Sequence, residues 1–360
     1  MKAKRRYLFE PDYAVPPGRT LLEVMESLDM NQKELAVRTG LTVQSLIRIL
    51  KGEQPITYES ASRLELATGV PAVFWNNLEA RYQEQLAKVR ERERLQTDLE
   101  WLNTIPTKEL IERGLLQPTE DKVELLRETL AFYGVSSVAA WREMWENPAV
   151  AARRSPCFQF QPGSASAWIR QGELQSHKLV CKPFGKVLFH QAIQTIRSLT
   201  REEPEKFEPE MKRLCSEAGV AVALVPEMKK VPWNGATKWL SPRKAMILLC
   251  LRGKGEDKFW FSFFHEAGHV LNDSKKDLLI NNGSRDDPRE VIADQFAAEF
   301  LIPGRHNGEI KRFRSTQEVT NLAANLGVSP GVVAGRYQFL TNRWNYFKDV
   351  IRTFQWNAPQ

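Results

Sequence analysis

Cysteine and histidine are both scarce in this chain of 360 residues, with four of the first and five of the second. The cysteines, Cys157, Cys181, Cys215 and Cys250, lack the close spacing of a thiolate metal site and read as reduced core or surface thiols. No run approaches the roughly 18 apolar residues of a membrane-spanning helix. The basic stretch Met1 to Arg6 is not followed by the apolar segment of a signal peptide, so the expected location is cytoplasmic, with no membrane partner. A dominant charge is missing too: 51 Lys and Arg against 44 Asp and Glu leave +7, which permits nucleic-acid binding without demanding it. What is present is length for several domains, with 42% hydrophobic and 26% charged residues.

Two of the five histidines stand four residues apart, in His265-Glu266-Ala267-Gly268-His269. On a helix that spacing puts both imidazoles on one face, where they can share one ion. A hydrolytic zinc wants three protein ligands and an open position, and lowers the pKa of its water to about 7. Glu266, beside the pair, is placed to take a proton as an amide is attacked. Asn272 and Lys275 occupy the positions where a metzincin needs Gly and His, so the third ligand is expected on a later helix as an acid. Glu290 is the best candidate, since Arg289 to Leu301 reads as a buried helix ending before Pro303. Asp294, one turn on, suits a hydrogen bond to the free nitrogen of a ligating histidine, the alternative being a surface aspartate. Phe259 to Phe264 leads into the motif as an apolar run. Met246 to Leu251 reads as a strand that can hold an extended peptide by edge pairing.

These residues resemble the ImmA/IrrE family of metallopeptidases, whose His-Glu-x-x-His helix is followed by a Glu-containing helix running into Phe-Ala-x-x-Leu-Leu-x-Pro. Here the second part runs from Glu290 through Asp294, Phe296 and Ala297 to Leu301 and Pro303, with Phe300 and Ile302 as departures. The resemblance implies one Zn2+ per chain held by His265, His269 and Glu290, with Glu266 as the catalytic group. It also implies a substrate among transcriptional repressors of the Xre type. Gly235 to Leu240 resembles the stretch that precedes the family's active-site strand, where small residues can admit a substrate backbone; a hairpin turn is the alternative.

Pro17 to Tyr82 reads as a five-helix unit. Gln32 to Arg38 forms a short helix with Leu35 and Ala36 inward, Gly40 breaks it, and Thr42 caps a second helix carrying Val43, Leu46, Ile47 and Leu50. That is helix-turn-helix spacing, and Thr42, Gln44, Ser45, Arg48 and Lys51 are expected to meet the major groove, with Gln32 on the backbone. Charge does not decide between this and a plain helical bundle, because residues 1–88 hold twelve basic and eleven acidic side chains, a balance of +1. Pro17 to Leu21, Gly52 to Thr57 and Val70 to Leu78 resemble the HigA-type branch of Xre proteins. That resemblance implies repression of an operator in double-stranded DNA and, more weakly, a HigB-like ribonuclease toxin as partner. A homodimer follows from the two-fold symmetry of such sites.

Elsewhere, Tyr82 to Arg94 continues as a charged connecting helix, and Trp101 to Trp145 holds short helices broken at Pro106, Gly114, Pro118 and Gly134. Pro156 to Arg170 suggests a strand and turn, Phe184 to Leu199 an amphipathic helix, Arg201 to Pro209 a charged loop, and Val220 to Val225 a strand. His177, His190 and His306 read as structural, though His306 is placed to approach the site and stabilise an oxyanion. Leu322 to Ser329 parallels Leu35 to Thr42 and suggests a second helix-turn-helix, in a stretch (305–352) with eight basic and three acidic residues. It is read either as a DNA contact or as scaffold.

The expected fold class is α+β: an all-α N-terminal helix-turn-helix domain, a helical adaptor, and a zincin-like (gluzincin) C-terminal domain with a small sheet and an HExxH helix. The expected boundaries are an arm at 1–16, the DNA-binding domain at 17–88, the adaptor at 89–155, the peptidase at 156–310 and a basic helical unit at 311–360. Function is expected as a DNA-binding regulator with a fused zinc endopeptidase that cleaves a repressor-type protein, another copy of itself included. The alternative is a non-enzymatic HigA-like antitoxin or repressor that senses a ligand or partner through the zincin-like domain.

Overall fold

The structure is a computed structural model and describes residues 13–146, 162–273, 278–281 and 287–356. The expected strand near Phe158 and Phe160, and Cys157, lie outside these residues. Two compact units are present, residues 13–100 with Asp121–Leu126, and residues 101–120 with 127–356. No helix among the described residues is long and apolar enough to cross a membrane.

The first unit holds α1 (Pro17–Ser27), α2 (Gln32–Thr39), α3 (Val43–Leu50), α4 (Tyr58–Thr68) and α5 (Ala72–Gln96). Asn31 starts α2 by accepting the Glu34 amide at 3.0 Å, Gly40 ends it at φ 66°, and Thr42 starts α3 by accepting the Ser45 amide at 3.0 Å. Leu21, Met25, Leu35, Leu46, Ile49, Leu64 and Trp75 form the core. Of the apolar residues expected along α3, Val43 is exposed, and Ile49, not among them, fills the core, since α3 turns its Leu46–Ile49–Leu50 side to α1. The two helices touch closely: a Cβ at Gly18 would lie 2.3 Å from the Leu50 Cα.

A 3-10 turn at Leu99–Thr104, α6 (Thr107–Glu112), α7 (Lys122–Tyr133, counted with the first unit as far as Leu126) and α8 (Val138–Trp145) precede the sheet of the second unit. Trp101, Tyr133 and Trp141 pack edge to face, with Trp101 and Trp141 centroids 5.2 Å apart. Next come α9 (Pro162–Lys178), α10 (Lys186–Leu199) and α11 (Pro204–Glu217). From Pro162 the chain is thus helical where strand and turn were expected, and the expected loop at Arg201 to Pro209 is a helix from Pro204 onward. Pro204 opens α11 at a position that needs no N–H, and burial of Phe207, Met211 and Cys215 along one face outweighs the bond lost at Pro209.

The sheet has the order β1-β3-β2-β4, from β1 (Val220–Leu224), β2 (Gly235–Ser241), β3 (Lys244–Leu249) and β4 (Leu278–Asn281). β1 and β3 run parallel, whereas β2 is antiparallel to both β3 and β4. Both faces of β3 are covered: Ala245, Ile247 and Leu249 join the main core, while Leu248 packs on Gly172 of α9. β3 is therefore an inner strand with no edge free for a peptide, contrary to the expectation for Met246 to Leu251. Gly235 to Leu240 is strand β2, not a hairpin turn.

Against the sheet lies α12 (Glu256–Asn272), which carries the HExxH pentapeptide and packs on α13 (Pro288–Leu301). After a short α14 (Asn307–Ile310), α15 (Thr316–Leu326) and α16 (Pro330–Thr341) form a pair jointed at Gly327. Val332, Val333, Ala334 and Tyr337 bury α16 against α12, so the second helix of this motif is scaffold and does not face solvent as a reading helix would. The chain then returns to the start of α12. Thr353 bridges Gly255, and the Arg352 guanidinium holds the buried Glu256 carboxylate at 2.6 Å.

Candidate metal centre

The site is assembled by two helices. α12 is apolar on nearly every side, and so carries His265, Glu266 and His269 into the interior, each no more than 1% exposed. Asp287 caps α13 by accepting the Arg289 amide at 2.9 Å, and Pro288 opens the helix, which sets Glu290 in its first turn and buries it. Gly268 allows the close crossing, since a Cβ there would stand 3.4 Å from the Ala293 Cα.

The imidazoles are oriented from behind. Nδ1 of His265 faces Asp294 Oδ1 at 2.8 Å, and Nδ1 of His269 faces Asp273 Oδ2 at 2.6 Å. With each Nδ1–H donating to a carboxylate, the Nε2 lone pairs point forward. The two Nε2 atoms are 3.0 Å apart, and Glu290 places Oε2 3.2 Å from His265 Nε2 and Oε1 3.2 Å from His269 Nε2. Both Glu290 oxygens are buried and, among the described residues, make no hydrogen bond. An ion with three tetrahedral ligands at about 2.0–2.1 Å would hold them about 3.3–3.4 Å apart. The donor set fits a divalent cation within a few tenths of an ångström, and a cation would satisfy the buried oxygens that nothing else satisfies.

Without a cation, the surrounding carboxylates favour protons on the imidazoles in its place. Burial pushes the His265 imidazolium down, but the facing Asp294 and Glu290 carboxylates outweigh it and raise its pKa to about 9. His269 behaves alike, with Asp273 and Glu290 carrying it to about 10. Burial works against the Glu290 charge, yet the two histidines hold its pKa below the ordinary value. Glu266 differs: burial dominates and lifts it to about 7 against the pull of both histidines. Thr237 on β2 donates its hydroxyl to Glu266 Oε2 at 2.7 Å, while Oε1 has no hydrogen-bond partner among the described residues.

Among the residues singled out in the sequence, the structure thus brings His265, His269, Glu290, Glu266 and Asp294 into one place. Asp273 and Thr237 join them without having been foreseen. Asp273 stands four residues after His269, a spacing that could have marked it, whereas Thr237 lies 29 positions before its partner and left no local signal. His306 is instead engaged with Glu309 at 3.3 Å. On the first unit, Gln32, Gln44, Arg48 and Lys51 are exposed. Thr42 spends its hydroxyl on the cap of α3, and Ser45, half buried, accepts from Gln54 at 2.7 Å. Gln44, Arg48 and Lys51 are therefore the side chains that α3 leaves free of these duties.

Residues 215–338 match the family described as IrrE N-terminal-like domain, Peptidase_M78, and residues 21–75 match the family described as Helix-turn-helix. An Xre-type helix-turn-helix is fused here to an ImmA/IrrE-type domain. No curated protein matches the chain. The helix-turn-helix match points to DNA as a partner, and the ImmA/IrrE match to a metallopeptidase-type domain with a protein substrate. The second match ends at residue 338, so the last turn of α16 and the returning segment that holds Glu256 lie beyond it.

Proposed function

We propose that this chain is a DNA-binding transcriptional regulator whose ImmA/IrrE-type domain is a zinc-dependent endopeptidase acting on a repressor-type protein, a second copy of the chain included. The convergence of two histidine nitrogens and two unpartnered Glu290 oxygens supports the reading, since it is a cation site by chemistry as well as by motif. His265, His269 and Glu290 would hold one zinc per chain, which would supply Lewis acidity to polarise an amide carbonyl and to lower the pKa of a water. Asp294 and Asp273 keep both imidazoles in the tautomer that presents Nε2. Glu266, anchored on one oxygen by Thr237, would offer Oε1 to take a proton from the attacking water. On the other unit, Gln44, Arg48 and Lys51 would read an operator, with Gln32, Thr42 and Ser45 close to the backbone, and a homodimer would meet its two half-sites.

The burial of all four site side chains favours a second reading. In it the protein is a non-enzymatic HigA-like antitoxin or repressor, its zincin-like domain sensing a ligand or partner such as a HigB-like toxin.

Zinc-loaded wild type and Glu266→Gln, incubated with the host's Xre-type proteins and read by mass spectrometry, separate the two. New fragments with wild type alone support the peptidase and name its substrate. None with either supports the sensor. In the same series His265→Ala and Glu290→Ala should lose metal, and full zinc occupancy in either would overturn that ligand assignment.

A further inference from the structure

The last turn of α16 and the segment that follows it are built as a surface, and nothing in the proposed chemistry uses them. Phe339, Trp344 and Tyr346 are each at least 50% exposed within eight positions of one another. Residues 339–348 include Arg343 and Lys348 and no acid, and the next residue, Asp349, is turned to the Thr316 hydroxyl at 3.4 Å. Large rings in solvent are costly unless a partner covers them.

These rings are held in place from below. Asn342 and Phe347 both adopt left-handed backbone, φ 57° and 55°, a strained choice for phenylalanine that fixes the turn. Phe347 is sunk against the fully buried Tyr337, with centroids 4.8 Å apart. Tyr346 leans on the same Tyr337 at 6.0 Å, and its carbonyl accepts from Gln338 at 2.6 Å. The Trp344 indole N–H is tied to Asn342 at 2.8 Å, which orients the ring without covering its faces. Arg343 lies 5.4 Å from the Tyr346 ring centre, and Lys348 is tied to Asn345 at 2.8 Å. Braced aromatic faces interleaved with cations match a polyanion whose units are themselves flat rings.

We propose that the 339–348 turn is a binding site for single-stranded DNA, with Trp344 and Tyr346 stacking on unpaired bases and Arg343 and Lys348 meeting phosphates. Charge favours this occupant over a second copy of the chain, because two such turns would repel. DNA is the strand chosen because the chain's other nucleic-acid unit is of a DNA-binding kind. The site is separate from that unit's recognition helix and does not depend on peptidase activity.

Fluorescence anisotropy of labelled oligo(dT) with the full chain tests it. Wild type should bind, unlabelled oligo(dT) should compete better than duplex, and Trp344→Ala with Tyr346→Ala should weaken binding about tenfold or more. Arg343→Glu with Lys348→Glu, which leaves the rings in place, should do the same, whereas Lys206→Ala, at an exposed cation paired with Glu202, should leave oligo(dT) binding unchanged. The proposal falls if both double variants bind like wild type. It also falls if oligo(U) is preferred to oligo(dT), if anionic vesicles retain the protein while oligo(dT) does not bind, or if the variants change only its mass in solution.

Discussion

Two helix pairs in this molecule share one joint. α2 and α3 meet at Gly40, φ 66°, and Thr42; α15 and α16 meet at Gly327, φ 70°, and Ser329, with nearly the same cap torsions. Each capping hydroxyl accepts the backbone N–H three residues on. Counting from the joint, Gln44 and Arg48 of α3 correspond to Gly331 and Gly335 of α16. The first two are exposed and polar. The second two have no side chain, and the space is taken by Glu256 and Asp257 at the start of the site helix: a Cβ on Gly331 would lie 2.0 Å from Glu256 Oε1, and one on Gly335 2.5 Å from Asp257 Cβ. The turn is thus a local property of glycine and a capping hydroxyl, while the task of the second helix depends on what its outward positions carry.

The sharpest way to break this contrast is Tyr337→Ala, which should cost about 3–5 kcal/mol in urea unfolding if α16 is core; a loss below about 1 kcal/mol would mean that α16 is not buried. Gly331→Ala should cost about 1–3 kcal/mol by forcing Glu256 aside. Its counterpart Gln44→Ala should stay within about 0.5 kcal/mol in stability. Arg48→Ala should leave the melting curve alone and weaken duplex binding by about 1–3 kcal/mol, as read by gel shift against a selected operator. The smallest effect concerns the leading helices. Glu318, in the capping box of α15, is held below the ordinary carboxylate range by the Arg314 N–H and by Ser315. Its contribution is present above the unfolded value and is lost as pH falls through the lowered folded one, so Glu318→Gln should flatten stability against pH in acid. A comparable acid slope left in Glu318→Gln would assign it to another group.

Legibility followed the range of each interaction. The histidine pair, the first-turn place of Glu290, the Gly40 end of α2 and the Thr42 cap of α3 depend on neighbours within four residues, and they could be read in advance. Ile49 replaced Val43 in the core because a helix of eight residues leaves its exact rotation to its partners. Pro209 was read as loop because its cost is local while its compensation, the buried Phe207 and Met211, is tertiary. Thr237, and the inner position of β3, depend on sheet order, which no window of sequence contains.

Gly235 of β2 has ordinary backbone torsions, so nothing in its own conformation requires glycine. The requirement comes from across the gap, where a Cβ would sit 2.5 Å from Glu266 Oε1. Acceptability at the two positions is therefore contingent. While the glutamate stands, alanine at 235 must push its carboxylate aside; once a shorter residue replaces it, alanine meets less resistance, and the return of the glutamate would carry that cost. The two positions are thus tolerated jointly, and the order in which they change decides what each change costs.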